Sequence, residues 1–286
     1  MTRKNIFDVL DANSDLQKEF DDTTKLFYKI KLIGKAYCNY IFGYPHIGIE
    51  DAVNRCCFSN WKQRRSCVSL KDFKNRCGVC ETDSSTEKGK IQVLEYFANM
   101  IFLVEKYAVL HDCILEYEPE YKMLKDNINI CLEHLRYSEH LIYEEERILL
   151  IPDNVEINTV AESAPPYTRT AILEYNHYLT KGNVEKKKDI ICRIYREYES
   201  ILKRKNSNFG KFIEILGRGI NKLSIRHGDK ENCDNISLIS SASDVEKQYD
   251  NIYTIIIFLV FAYQKAIPAK NDLESLFKSM EEANRL

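Results

Sequence analysis

Apolar residues recur at three- and four-residue steps along most of the chain, which is the spacing one buried helix face requires. Ser14-x-x-Gln17 has the form of a capping box, and Leu16, Phe20, Phe27, Ile30, Ile33 and Tyr37 behind it predict a helix from about Asp15 to Ile41. Tyr44-Pro45 breaks it, and a shorter helix is expected over Gly48 to Asn60. Ile91, Leu94, Phe97, Ala98, Ile101 and Phe102 specify a strongly buried helix, and a third long one is expected over Glu118 to His140. The apolar run Arg147 to Ile151, the turn residues Pro152-Asp153-Asn154 and the mixed segment Val155 to Asn158 read together as a short β-hairpin. Ala161 to Pro166 has linker composition, so residues 1–160 and 167–286 are expected to form separate domains.

Beyond the linker the pattern is almost wholly helical. Helices are predicted over Tyr167 to Tyr178 and Val184 to Lys205, with Lys181-Gly182-Asn183 turning the chain between them. Phe209, Phe212, Ile213, Leu216, Ile220 and Leu223 trace the next buried face. Ser243-x-x-Glu246 then opens a helix from about Asp244 to Lys265, the most apolar of all, and Leu273 to Ala283 closes the chain. The Asp244 helix has a longer apolar face than one neighbour can cover, which leaves room for a homodimer interface through the C-terminal helices. The fold class expected is therefore mainly α: a helical N-terminal domain with a short β-hairpin, followed by a C-terminal helical bundle.

Composition agrees with that class. Ten glycines and six prolines in 286 residues favour long helices over a turn-rich β architecture. The formal net charge of −2 excludes polyanion binding by bulk electrostatics. Locally the balance differs: Lys181 to Lys230 holds 14 Lys or Arg against 6 Asp or Glu, whereas Asp112 to Glu162 holds 13 acids against 4 bases. Such segments either present a basic surface to nucleic acid, neutralise each other, or form two solvated faces. The N-terminus lacks the apolar core of a signal peptide, and the run Ile255 to Ala262 is far short of the roughly 18 to 20 residues of a membrane span. A cytoplasmic protein with no membrane partner and reduced thiols is expected.

Two stretches carry candidate chemistry. Cys56, Cys57, Cys67, Cys77 and Cys80 crowd together and end in a C-x-x-C, so Cys67, Cys77 and Cys80 are candidate zinc ligands, with Cys56 or Cys57 as the fourth. Buried or reactive free thiols are the alternative, and no cofactor is otherwise implied. The second stretch, Arg218 to Asp229 (RGINKLSIRHGD), gathers Arg218, Asn221, Arg226 and His227. Gly228 is placed to end the helix, so His227 would lie near helix C-terminal carbonyls that favour its charged form, while Arg226 beside it opposes that charge. A histidine balanced in this way suits proton transfer. An ordinary helix cap beside a solvated charge uses the same residues. If the helix ran on through His227, nine steps would set Arg218 almost opposite it. Convergence of the two within one subunit requires the helix to end first.

Three pieces of the second half, AILEYNHYLTKGNVEKKKDIICRIYREYE from Ala171, INKLSIRHGDKE from Ile220 and SDVEKQYDNIYTIIIFLVF from Ser243, come in an order that resembles the C-terminal domain of bacterial abortive-infection proteins. That phage-defence group is similar in turn to the HEPN superfamily of helical ribonucleases. The resemblance implies metal-independent RNA cleavage in a homodimer whose two histidines face one cleft. It would make His227 the acid or base, Arg226 or Arg218 the phosphate clamp and Asn221 a positioning group. The expectation it gives is an antiviral, toxin-like endoribonuclease acting on RNA and answering to a phage-derived trigger or a regulatory partner, with the acidic segment restraining the basic one. Two other readings stand beside it: a non-catalytic dimerising sensor module, and a zinc-stabilised nucleic-acid-binding protein.

Overall fold

The computed structural model describes residues 15–34, 46–110, 115–116, 119–203, 209–223, 225 and 241–283. It is mainly helical and divides into two compact units, Met1–Pro152 and Asp153–Leu286.

The first unit begins with α1, Leu16–Lys29, capped by the Asp15 side chain, which accepts from the Gln17 amide. Ser14 of the expected capping box lies outside the described residues. The helix stops well short of Ile41, because Leu32 turns into β1 (Lys31–Gly34) and buries there as a strand residue. Strand β1 is the middle of an antiparallel sheet in the order β2-β1-β3, with β2 at His46–Gly48 and β3 at Leu115–Glu116. Helix α2 (Ile49–Ala52) widens into a π turn over Val53–Cys57 and closes as a 3-10 turn at Phe58–Asn60. Helix α3 (Leu70–Arg76) follows, with Ser69 accepting from the Asp72 amide.

Helix α4, Glu87–Leu110, is the axis of this unit, burying Leu94, Phe97, Met100 and Leu103. Phe97 stacks on Phe27 of α1 at a centroid distance of 3.9 Å, within the range where aromatic pairs add to simple burial. Helix α5 runs Pro119–Leu135 and ends earlier than the expected His140, because Tyr137–Ile142 is strand β4. Its partner β5, Arg147–Pro152, pairs from Tyr137↔Pro152 to Ile142↔Arg147. The hairpin therefore turns before Arg147, and Val155–Asn158 is no strand but the start of a helix. Asn154 decides that locally, since its side chain caps the Ile157 amide.

The edge of β5 that β4 leaves open is closed by α4. Asn99 donates to the Ile148 carbonyl and accepts from its amide, each at 2.9 Å, and Glu95 accepts from the Leu150 amide at 2.9 Å. An exposed row of strand amides is thereby removed. The hairpin turn is held as firmly: Glu146 sits at φ 54°, its carboxylate accepts from Tyr107 Oη at 2.6 Å and pairs with Lys106 Nζ at 3.0 Å, and its carbonyl accepts from Trp61 Nε1 at 2.9 Å. Those contacts offset the strain of a left-handed non-glycine residue.

The second unit opens with α6, Val155–Ser163, which packs on its own later helices, so the division falls after Pro152, ahead of the Ala161–Pro166 stretch. Helix α7 is Pro166–Asn176, with Pro166 at the first helical position. The turn at Gly182 has φ 82°, and Asn183 caps α8, Val184–Leu202. Helix α9 is Gly210–Lys222. Helix α10, Ala242–Phe261, starts at a cap two residues ahead of the expected Ser243: Ser241 accepts from the Asp244 amide. The helix does not end at Lys265. It passes through a π turn at Ala262–Ala266 into α11, Ile267–Ala283. Pro268 has no amide to give to a carbonyl four residues back, and a wider turn just upstream is how a continuous helix accommodates that loss.

The core of this unit lies where α8 and α10 face each other, and Ile190, Ile191 and Ile194 on the first and Ile252, Tyr253 and Ile256 on the second are all buried. By length and composition alone, Ala242–Phe277 is apolar enough to cross a membrane, a test that the core helix of a soluble protein also passes.

Candidate functional site

Helix α9 carries two of the four residues singled out for chemistry. Leu216 and Ile220 bury its inner stripe, and Leu223 and Ile225 continue that stripe past its end. Phe212, expected inside, stays largely exposed, as does Ile215, although Phe212 meets the Phe258 ring of α10 at 5.4 Å. Gly219 lets the two helices approach, since a β-carbon there would lie 3.2 Å from Cδ1 of Ile252.

Arg218 and Asn221 lie on the solvent side, three positions apart and so on neighbouring turns of one face. Arg218 reaches Glu214 at 3.5 Å, an exposed i,i+4 pair worth well under about 1 kcal/mol, so the guanidinium can be recruited by a stronger anion at little cost. The helix ends at Lys222, with Leu223 as its cap and the Ile225 amide donating to the Ile220 carbonyl at 3.1 Å. Gly228 is therefore not what closes it. The helical register that would set Arg218 opposite position 227 does not extend that far. Arg226 and His227 themselves lie outside the described residues.

In the same unit, α7, α8 and α10 share a polar cluster. Lys187 sits on the apolar stripe of α8 with only 7% of its side chain exposed. Its ammonium pairs with Asp250 at 2.6 Å and Glu246 at 2.8 Å, and lies 5.3 Å over the Tyr175 ring. Tyr175 donates to Asp250 at 2.7 Å and stacks on Tyr253 at 3.9 Å, while Asn176 donates to the Tyr253 hydroxyl at 2.6 Å. The Gly182 amide donates to Glu246 at 2.8 Å. The carboxyl of Glu246 is held below its ordinary range, first by the hydrogen bond from Lys187 and then by that amide. Burial raises both phenols, Tyr175 and Tyr253.

Lys187 is turned onto one oxygen each of Asp250 and Glu246, and Tyr175 onto that of Asp250, both away from solvent, so this cluster orients helices rather than reacting. It also removes Lys187 from the basic surface counted along the sequence. Its trace in the sequence is a lysine in register with Ile190, Ile191 and Ile194, together with Glu246, Tyr249, Asp250 and Tyr253 at helical spacing.

In the first unit the cysteine cluster separates by environment. Cys67 is buried, whereas Cys77 and Cys80 are exposed, all as free thiols. Although the residue is exposed, partial desolvation among its neighbours, and then the nearby Cys67, raise the Cys77 thiol, the opposite of an activated thiolate. Among the described residues no three or more His, Cys, Asp or Glu side chains are grouped to hold a metal. His140 meets Ser138 at 2.9 Å.

A crevice of about 150 Å³ opens between α4, α5 and β4, lined by Ile101, Phe102, Glu105, Lys125, Ile128 and Glu139. Lys125 pairs with Glu105 at 2.9 Å. The Glu139 carboxyl is raised by desolvation, with Lys125 pulling it back.

No protein-family model matches the chain, and neither the curated proteins nor the solved structures yield a match.

Proposed function

We propose that the chain is an anti-phage abortive-infection protein whose second unit acts as a HEPN-like, metal-independent endoribonuclease. The observation that carries this reading is the end of α9 at Lys222. The helix leaves Arg218 and Asn221 on a solvent-facing surface and ends five residues before position 227, so the register that would set Arg218 opposite that position stops short of it.

In such a site the RNA 2′-hydroxyl attacks the adjacent phosphorus, the bond to the 5′-oxygen breaks, and a 2′,3′-cyclic phosphate and a 5′-hydroxyl form. His227 takes the 2′ proton or returns one to the departing 5′-oxygen, and a second histidine from another copy would complete the pair. Arg226 and Arg218 offset charge building on the non-bridging oxygens, with Asn221 positioning the phosphate. Substrate is RNA because the attacking hydroxyl is absent from DNA.

The test is purified protein with total RNA in the presence of a chelator, with and without phage lysate as trigger. Wild type should leave 2′,3′-cyclic phosphate ends, and His227→Ala should abolish them. Cleavage that is undiminished by both His227→Ala and Arg226→Ala refutes the reading, as does failure of wild type to cut under either condition.

A second reading is favoured by a different observation, the exposed apolar residues Phe212, Ile215, Phe258, Leu273, Leu276 and Phe277. It makes the chain a non-catalytic dimerising sensor of a phage component. Inactive wild type that binds phage protein identifies that alternative.

A further inference from the structure

We propose that the crevice between α4, α5 and β4 binds a small aliphatic amine, with its ammonium on Glu139 and its hydrocarbon stem along the apolar floor. That floor is built by packing: Ala98, Ile101 and Ile128 are buried, and Phe102 and Ile148 are half-buried beside them. None of these side chains offers a hydrogen bond, so water lying there lacks partners and gives way readily to hydrocarbon. The space, about 150 Å³, equals that of a cavity that takes one benzene-sized molecule. Size therefore limits the stem to about five carbons.

Charge at the rim selects the head group. Glu105, Lys125 and Glu139 meet there, and Asn129 brings a side-chain amide whose oxygen can accept a second N–H. Lys125 is committed to Glu105 at 2.9 Å, and the next cation along α4, Lys106, to Glu146 at 3.0 Å. The Glu139 carboxylate has neither a hydrogen bond nor an ion pair among the described residues. Two carboxylates and one ammonium leave the rim one negative charge in excess, which one incoming ammonium balances. Desolvation raises the Glu139 carboxyl, Lys125 opposes that shift and Glu105 adds to it. A cation placed beside such a group therefore gains more than beside a carboxylate in open water. An anionic head would meet two like charges, and a divalent metal ion would find too few oxygens, because the floor supplies none. The site lies in the first unit and rests on no part of the nuclease chemistry.

Calorimetric titration of the full chain with pentylamine near pH 7, where the amine is charged, tests it. One molecule should bind per chain with a dissociation constant on the order of 1 mM, the strength open to about six non-hydrogen atoms. Methylamine, which lacks the stem, and pentanol and pentanoate, which lack the cation, should each bind at least about tenfold more weakly. Glu139→Gln should weaken pentylamine by at least about tenfold, whereas Lys125→Met, which removes a competing cation, should tighten it. Both side chains are exposed, so circular dichroism should stay unchanged. Methyl resonances of Ile101, Ile128 and Ile148 should shift as the amine is added.

Pentanol that binds as tightly as pentylamine reduces the crevice to an apolar hollow and overturns the proposal. Affinity indifferent to Glu139→Gln, or weakened by Lys125→Met, overturns it through the charge assignment. If Nα-acetyl-lysine methylamide binds more than about tenfold tighter than pentylamine, the occupant is a lysine side chain of a partner protein and the free amine is refuted. Absence of saturable binding by pentylamine refutes it as well.

Discussion

Replacing Lys187 by methionine isolates the cluster that joins α7, α8 and α10. Methionine keeps the length and apolar stem of the side chain and removes only the ammonium. Two carboxylates then lose their cation. Glu246 keeps the Gly182 amide and Asp250 keeps the Tyr175 hydroxyl. Removing one partner of a fully buried ion pair costs about 3–5 kcal/mol. Asp250 is 48% exposed along its side chain, so water recovers part of that loss, and about 2–3 kcal/mol is expected. Urea denaturation at pH 7 should show this as a lower midpoint.

The pH dependence makes the test sharper. The carboxyl of Glu246 titrates below its ordinary value of 4.5, so its contribution is complete above that value and is lost as pH falls through the lower folded value. In Lys187→Met the same carboxyl has no cation, and protonation relieves rather than costs. The difference between variant and wild type should therefore shrink from pH 7 to about pH 3. Glu246→Gln with Asp250→Asn in the methionine background should recover most of the loss at pH 7. A penalty below about 1 kcal/mol, or one equal at both pH values, would refute the argument that the ammonium is what holds these helices.

Two other perturbations test packing at named contacts. Gly219→Leu should cost about 1–3 kcal/mol, because a β-carbon already meets Ile252 at 3.2 Å. Gly217→Ala, whose β-carbon meets nothing within 4 Å, should stabilise by about 0.5–1 kcal/mol through helix propensity alone. Thermal melts of the pair separate the two effects, and equal shifts in the same direction would contradict the close approach of α9 to α10. Asn99→Leu leaves the Ile148 amide and carbonyl without the partner each now has, at a cost of about 2–4 kcal/mol, checked by chemical denaturation. Hydrogen exchange of the Ile148 amide should rise with it, and unchanged protection would mean that α4 does not close that strand edge.

Much of this architecture is legible without coordinates, and the physical reason is periodicity. A stripe at three- and four-residue steps is a local property, so α4, α8 and α10 could be placed from their apolar residues alone. Turn chemistry is local too, which is why Lys181-Gly182-Asn183 reads correctly as a turn, whereas the Ser243/Glu246 pair misplaces the cap of α10 that Ser241 supplies.

What failed is what depends on distant partners. Leu32 and Tyr137–Ile142 fit a helical stripe as well as a strand, and only pairing with β2 and β5 decides for the strand. Whether Pro268 breaks or merely widens a helix depends on the turn before it. The burial of Lys187 follows from two carboxylates 59 and 63 residues away in α10, which no local window contains. Likewise, the sequence brings Arg218, Asn221, Arg226 and His227 into one stretch, but where α9 stops is set by Leu223 and Ile225 turning inward. Composition and spacing determined that this chain would be helical and which faces would bury. Tertiary contact alone decided where each helix ended and which charges were taken out of water, because those outcomes are free-energy differences between partners that meet only in the folded chain.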